Sequence, residues 1–428
     1  MGSGRESGIS GLTVVKILPK LYVIGFLKGL YFHLPIFTIF LVGHGVNLEA
    51  IVFAASFYSL LQFLMEVPTG LIADRFGQRV SMIIGYLLEA LGLVVVILSP
   101  TAIGLALCYA IGGIAAAFLS GSEEAFFFES AKNQGASFGP AYGRFISHQT
   151  IGMVVSGAVG GLIFSQIGSG SSVLLLSLSV TSMAVCALLV TSMTNRRSHS
   201  GPATEVARSS GSGMLTILKT SFRLIRQEQL LSTMAFVMML IIGGEWFLYN
   251  IYPVLFAEAG VAPVWFGLSL SIGLSLNAVV TRHVHHLEKW FSLEEVIVGF
   301  NLLLALPYVV LMMNPSPTYD VIAVIALLAL CDGNRPMISD YLNERIPASE
   351  RVTILSGLSF AGRVASFTLR LLLTASVALG GVKLASGIHG LYLVIGAGLA
   401  FWLLVRCGCS HRVQKHTDAL PLTCPALD

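Results

Sequence analysis

Between two long apolar runs the chain reads Glu66-Val67-Pro68-Thr69-Gly70-Leu71-Ile72-Ala73-Asp74-Arg75-Phe76-Gly77-Gln78-Arg79. Gly70 and Gly77 predict a tight turn and close helix approach, because glycine alone bends freely and carries no Cβ. Asp74 presents a carboxylate that a helix amino terminus or a basic side chain can bind, with Arg75 and Arg79 beside it. The flanking runs, 49-71 and 80-99, each hold about the 20 residues that a helix needs to cross a bilayer. The stretch therefore reads as a short polar link between two membrane spans, able to latch one arrangement of the helices around it.

Working outward, further apolar runs fall at 20-42, 102-125, 143-166 and 171-192, then at 230-254, 263-281, 294-314, 319-341, 352-379 and 384-405. With the first two these make an all-α polytopic membrane protein of twelve transmembrane helices. Composition agrees: of 428 residues 55% are apolar and 11% charged, with a mean hydropathy of +0.82, which excludes a soluble enzyme. The polar stretch that begins at 193 divides the spans six and six. The expected organisation is an N-terminal six-helix bundle over 1-192, a cytoplasmic linker over 193-229, a C-terminal bundle over 230-405 and a cytoplasmic tail over 406-428. Within the linker Met214, Leu218, Phe222 and Ile225 recur at helical spacing opposite Lys219, Arg223 and Arg226, as in a helix lying on the lipid interface.

Orientation follows from the basic residues. Of 25 Lys and Arg, Lys383 alone falls in an outer loop and Lys28, Arg335, Arg363 and Arg370 fall in spans, which leaves 20 on the side of the amino terminus. Both termini are expected in the cytoplasm and the protein in the inner (plasma) membrane. Spans one and seven begin about 210 residues apart, as expected of two pseudo-symmetric structural repeats. Residues Met1 to Gly11 carry no apolar core and read as a cytosolic tail.

The same sequence excludes several chemistries. Lys plus Arg at 25 against Asp plus Glu at 22 gives no global basic surface for nucleic acid. No phosphate-cradling Gly-rich loop and no nucleophile elbow occurs, so neither ATP hydrolysis nor an enzyme active site is expected, and no cofactor. The six cysteines form no disulfide framework. Cys407 and Cys409 lack a second ligand pair nearby and read as tail cysteines, and His283, His285 and His286 read as a solvated basic segment; a metal site is the alternative for each, and no metal is expected.

Residues 70–79 resemble the signature loop of the major facilitator superfamily, G-x-L-A-D-R-x-G-R-K, departing at Gln78. The six-plus-six plan extends the resemblance over essentially the whole chain. Ser120-Gly121-Ser122-Glu123-Glu124-Ala125 is similar to the S-G-x-x-E-A pattern of some bacterial members, which points to an efflux-type member. By the resemblance, Asp74 contacts the start of span eleven, so Gly70, Asp74, Arg75, Gly77 and Arg79 with Arg351 form the expected conformational gate. Drug/proton antiporters carry an arginine in span four and G-P-x-x-G-G in span five. Here span four reads Cys108-Tyr109-Ala110-Ile111-Gly112-Gly113, and Gly157 replaces the proline in Ser156-Gly157-Ala158-Val159-Gly160-Gly161.

An ionised side chain within a span costs several kcal/mol unless it meets water or a partner, so each is a functional candidate. Lys28 and Tyr31 in span one, Glu124 at the end of span four, Glu245, Trp246, Tyr249 and Asn250 in span seven, Asp332 and Arg335 in span ten and Arg363 in span eleven are the expected substrate or proton site. Glu89 in span three is expected at the periphery in a structural role. The resemblance implies alternating access around a cavity lined by spans one, four, seven and ten. The expected partners are a small-molecule substrate, protons and the lipid bilayer, with the protein a monomer. Proton-driven export of a small organic molecule, such as a secondary metabolite, drug or siderophore-like compound, is the function expected. Proton-coupled import, facilitated diffusion and a non-transporting receptor or scaffold are the alternatives.

Overall fold

The computed structural model describes residues 17–193, 248–313, 316–331, 333, 337 and 351–406. Long helices dominate these residues, and no strand occurs among them. In chain order they are α1 (Ile17–Lys28), α2 (Phe37–Gly43), α3 (Leu48–Phe76), α4 (Gln78–Leu98), α5 (Ala102–Asn133), α6 (Phe138–Ile167) and α7 (Ser172–Thr191). After the central stretch come α8 (248–258), α9 (Val264–His283), α10 (Leu293–Met313), α11 (Pro317–Leu330) and α12 (Arg351–Arg406).

Seven helical stretches among the described residues are long and apolar enough to cross a membrane, and one of them, Phe138–Thr191, holds 54 residues. At ~1.5 Å per residue that would reach about 80 Å, more than twice a ~30 Å hydrocarbon core. It reverses instead at Gly168, whose φ of 71° suits glycine. α12 breaks likewise at Gly380 and Gly381. Large apolar side chains such as Leu87, Leu91, Ile103 and Leu162 point outward, as they do where the surroundings are lipid.

Two expectations for the first spans are corrected. Span one is not one helix over 20-42: it stops at Lys28 and resumes at Phe37. Gly29 ends α1, and Pro35 has no N–H to carry a helix onward and disfavours helical geometry at Leu34. The link between spans two and three is not a loop from Gly70 to Arg79. α3 runs on to Phe76, Gly77 turns the chain at φ 95° and ψ 151°, and α4 begins at Gln78. Gly70 is therefore a helical residue, and a Cβ there would meet open space.

Helices pack both within and across the two sides of the central stretch. Among the first seven, α4 and α3 pack on α5, α4 on α7 and α1 on α6; beyond it, α10 packs on α12 and α11, and α9 on α11. Leu21, Ile24, Met82, Tyr86, Phe126 and Phe127 form one core, Ile36, Leu41, Ile51 and Leu105 a second. Tyr252, Phe256, Val324 and Leu373 form a third, to which α3 lends Val52.

Two pairs join the groups closely, α6 with α9 and α3 with α12. The first depends on glycine: a Cβ on Gly267 would lie 2.0 Å from the Gly157 carbonyl oxygen and 2.7 Å from Gly161 Cα. Ser271 Oγ donates to the Val154 carbonyl at 2.7 Å in the same contact. At the second, Arg370 Nη1 donates to the Ala55 carbonyl at 2.6 Å, and Phe57 and Phe367 meet with ring centroids 6.4 Å apart. All of these lie toward the end away from Gly77; Ala55 stands 21 residues, about 31 Å of helix, from Phe76.

Candidate functional site

The interruption of span one opens the site. Between α1 and α2 the chain passes through turns whose polar groups find specific partners. Ser182 Oγ donates to the Leu27 carbonyl at 2.6 Å and Ser156 Oγ to the Gly29 carbonyl at 3.3 Å. His33 Nδ1 lies 2.9 Å from Ser179 Oγ. The glycines of α6 allow this approach, since a Cβ on Gly152 would fall 2.2 Å from the Phe26 carbonyl oxygen and one on Gly160 2.5 Å from that of Phe32. The small-residue run of span five thus packs on both sides, against span one and against α9.

Lys28, the last residue of α1, extends to Glu123 of α5, with Nζ 2.5 Å from Oε2; their side chains are 16% and 7% exposed. Tyr86 of α4 donates its hydroxyl to Glu123 Oε1 at 2.5 Å. Both oxygens of the carboxylate are therefore held, one by a cation and one by a phenol, which is what a charge at lipid depth requires. Of the two adjacent carboxylates at this end of span four, Glu123 is buried and takes the ion pair, whereas Glu124, the one placed in the expected site, is exposed. The physical reason is helical phase. Glu123 shares its face with the buried Phe126, Phe127 and Ser130, three, four and seven residues on, whereas Glu124 lies over exposed Phe128.

The expected peripheral place of Glu89 is corrected. It stands on the Gly85–Glu89–Gly92 face of α4, and Leu87 and Leu91 take the outward face. It therefore lines the interior, an electrostatic neighbour of Lys28, Tyr31 and Glu123, and it has no basic side chain within 4 Å among the described residues.

These groups border a cavity of about 440 Å³. Lys28, Tyr31 and Glu89 line it with Tyr58 and Gln62 of α3, Tyr109 of α5, Gln149 of α6 and Tyr249 and Asn250 of α8. Both groups of helices contribute, and they meet across it: Tyr109 donates its hydroxyl to Asn250 Oδ1 at 3.0 Å. Arg370, 2% exposed, stands near Tyr109. Lys28, Tyr31, Tyr249 and Asn250 of the expected site are thus brought together. Glu245, Trp246, Asp332 and Arg335 lie outside the described residues, as do the side chain of Arg363 and the stretch from 194 to 229. Sequence reasoning missed Tyr86, and it did not single out Glu123 from Glu124 or turn Glu89 inward. Their signal was present in the spacing of buried small and aromatic residues around them.

The gate residues part company. Asp74 and Arg75 are exposed, and the Arg75 guanidinium lies 5.5 Å over the Phe76 ring. Arg79 turns inward on its own group, donating Nε to the Val190 carbonyl at 3.0 Å and Nη2 to that of Thr191, where it caps the last turn of α7. The side chain of Arg351 lies outside the described set. His283 and His286 each place Nδ1 against a main-chain carbonyl, those of Val279 and His283.

The sequence profile of the Major Facilitator Superfamily matches residues 22–368. No curated protein sequence matches the chain. Among solved structures, the nucleoside transporter NupG superposes with a TM-score of 0.73 at 15% identity, over 91% of this chain and 99% of that one. A D-xylose-proton symporter gives 0.67 at 13%, over 90% and 97%. A bacterial homologue of the human lysosomal transporter Spinster, inward-facing and unoccupied, gives 0.64 at 17%, over 92% and 98%. At these identities the likeness is one of fold.

Proposed function

The chain belongs to the Major Facilitator Superfamily, and from that membership we propose that it is a secondary transporter exporting a small organic molecule in exchange for protons. Twelve spans in two six-helix bundles rock about a central site, with both termini in the cytoplasm and the monomer in the plasma membrane. The observation that carries this reading is the cavity itself. It lies between the two groups of helices, is bordered by Lys28 of the part-buried Lys28–Glu123 pair, and is bridged by Tyr109 and Asn250. Interiors built for stability alone have no use for ionisable groups around a chamber of this size.

Substrate and proton site in this reading are Lys28, Tyr31, Tyr249, Asn250, Glu89 and Glu123, with Glu245, Trp246, Asp332, Arg335 and Arg363 joining from the second bundle. Asp74 and the Arg351 end of α12 form the cytoplasmic gate, closing when the opposite end opens. Proton-coupled uptake is the second reading, favoured by the absence of an arginine in span four. Purified protein in liposomes tests both. An inside-acidic gradient that drives an accumulated compound into the lumen supports exchange, an outside-acidic gradient doing so supports uptake with protons, and binding without flux removes the carrier reading.

A further inference from the structure

The charges around the cavity are not equivalent. Lys28 is already satisfied from within the protein, since Glu123 holds its ammonium at 2.5 Å and Tyr86 holds the other carboxylate oxygen. An anionic ligand would have to compete with that pair for its cation. Arg370, the other basic group near, donates to the Ala55 carbonyl at the helix contact and does not line the cavity. Glu89 does line it, partly exposed; Lys28 acts on it across the lining, but its ammonium is bound to Glu123, and no basic side chain comes within 4 Å of Glu89 among the described residues. Around the same space stand the rings of Tyr31, Tyr58, Tyr109 and Tyr249.

A carboxylate set among aromatic faces is the arrangement that takes an organic ammonium group: the rings offer their negative faces, and the carboxylate supplies the counter-charge that the cation loses with its water. We infer that the ligand of this cavity carries a protonated amine or quaternary ammonium, bound by Glu89 and the surrounding tyrosines. This rests on the carrier reading for its biological meaning, and it narrows that reading to one class of substrate. Gln62 and Gln149 supply carboxamides to the same lining, which suits a cation that also bears hydroxyl or carbonyl groups over a bare lipophilic one.

The test uses the full chain in detergent and a panel of aryl- and alkyl-ammonium compounds, each with its carboxylate and alcohol analogue on the same skeleton. Thermal stabilisation followed by equilibrium binding is expected to pick out ammonium members, and Glu89→Gln to weaken their binding on the order of tenfold or more. Glu89→Asp, which keeps the charge, is expected to retain binding of those compounds, and this separates loss of a counter-ion from loss of fold. The inference is overturned if carboxylates or alcohols bind as well as the ammonium members, if no ammonium member binds, or if Glu89→Gln binds them unchanged. Flux is read separately in liposomes: Glu89-dependent binding without transport keeps this assignment and removes the carrier, and transport of an anion does the reverse.

Discussion

Glu123 and Glu124 differ by one position and by 100° of helix, and that angle decides which of them meets Lys28. The sequence places Lys28 correctly in span one, because a lysine amid apolar residues is conspicuous anywhere. It leaves the choice of partner to a phase that only the neighbours fix: Phe126, Phe127 and Ser130 mark the buried face. The facing of Glu89 was hidden by the same difficulty, since its span reads as apolar all round and the small residues Gly85 and Gly92 on its own face are a faint mark of the inner side. Because Lys28 has its ion partner in Glu123, Glu123→Gln is expected to lower stability by about 1–3 kcal/mol, less than for a fully buried pair because Lys28 also faces the cavity. Adding Lys28→Met should recover most of that loss, since Gln still accepts from Tyr86. The measurement is the thermal midpoint of the four proteins at one scan rate. Additive effects of the two substitutions would show that the pair is not coupled.

At the scale of elements, most of the spans were legible as runs of about twenty apolar residues. Their interruptions were not, because a hydropathy run does not register a break in the backbone. Span one shows this: Gly29 and Pro35 carry the signal, yet Leu30, Phe32, Leu34 and Ile36 keep the run apolar. The signature stretch shows the converse, where a polar composition suggested a loop and the helix continued to Phe76. Polarity there reflects emergence from the membrane, not loss of helix. Glycines in α6 and α9 set the distance between the groups, and this gives a test. Gly267→Ala would bring a Cβ within 2.0 Å of the Gly157 carbonyl oxygen, a main-chain atom that cannot yield without moving the helix. We expect α6 and α9 to part at that end and the cavity to open there. In a variant whose sole cysteine is Cys108, which lines the cavity and is buried, labelling by a membrane-impermeant maleimide should rise several-fold. Unchanged labelling in a folded Gly267→Ala protein would mean that the contact does not set closure.

For the whole molecule, the polar centre of the chain is readable in the sequence, while the cores do not follow it strictly, since Val52 of α3 joins the one built on Tyr252, Phe256 and Leu373. What no sequence pattern could supply is how the two groups are arranged against each other, because that depends on a few contacts between residues far apart in the chain. Arg370 reaches Ala55 across 315 positions, Tyr109 reaches Asn250 across 141, and Ser271 reaches Val154 across 117. Each is modest alone, about 0.5–1.5 kcal/mol for a neutral hydrogen bond and ~1.5–3 for one from a charged group. Together they are of the size that separates two populated conformations, since a shift of ~5.5 kcal/mol carries an equilibrium from 99:1 to 1:99. Arg370 should therefore contribute most to holding that end shut. Replacing it with Leu removes the bond to the Ala55 carbonyl and leaves the apolar packing of Leu369 and Leu373 in place. With spin labels at the exposed positions Asn47 and Glu258, beyond the closed end on either group, the parent is expected to give mainly a short distance. Arg370→Leu should add a longer component, and Tyr109→Phe in the same background should enlarge it. A distribution that stays short in both variants would place the latch elsewhere and leave Arg370 as a packing residue of the α3–α12 contact.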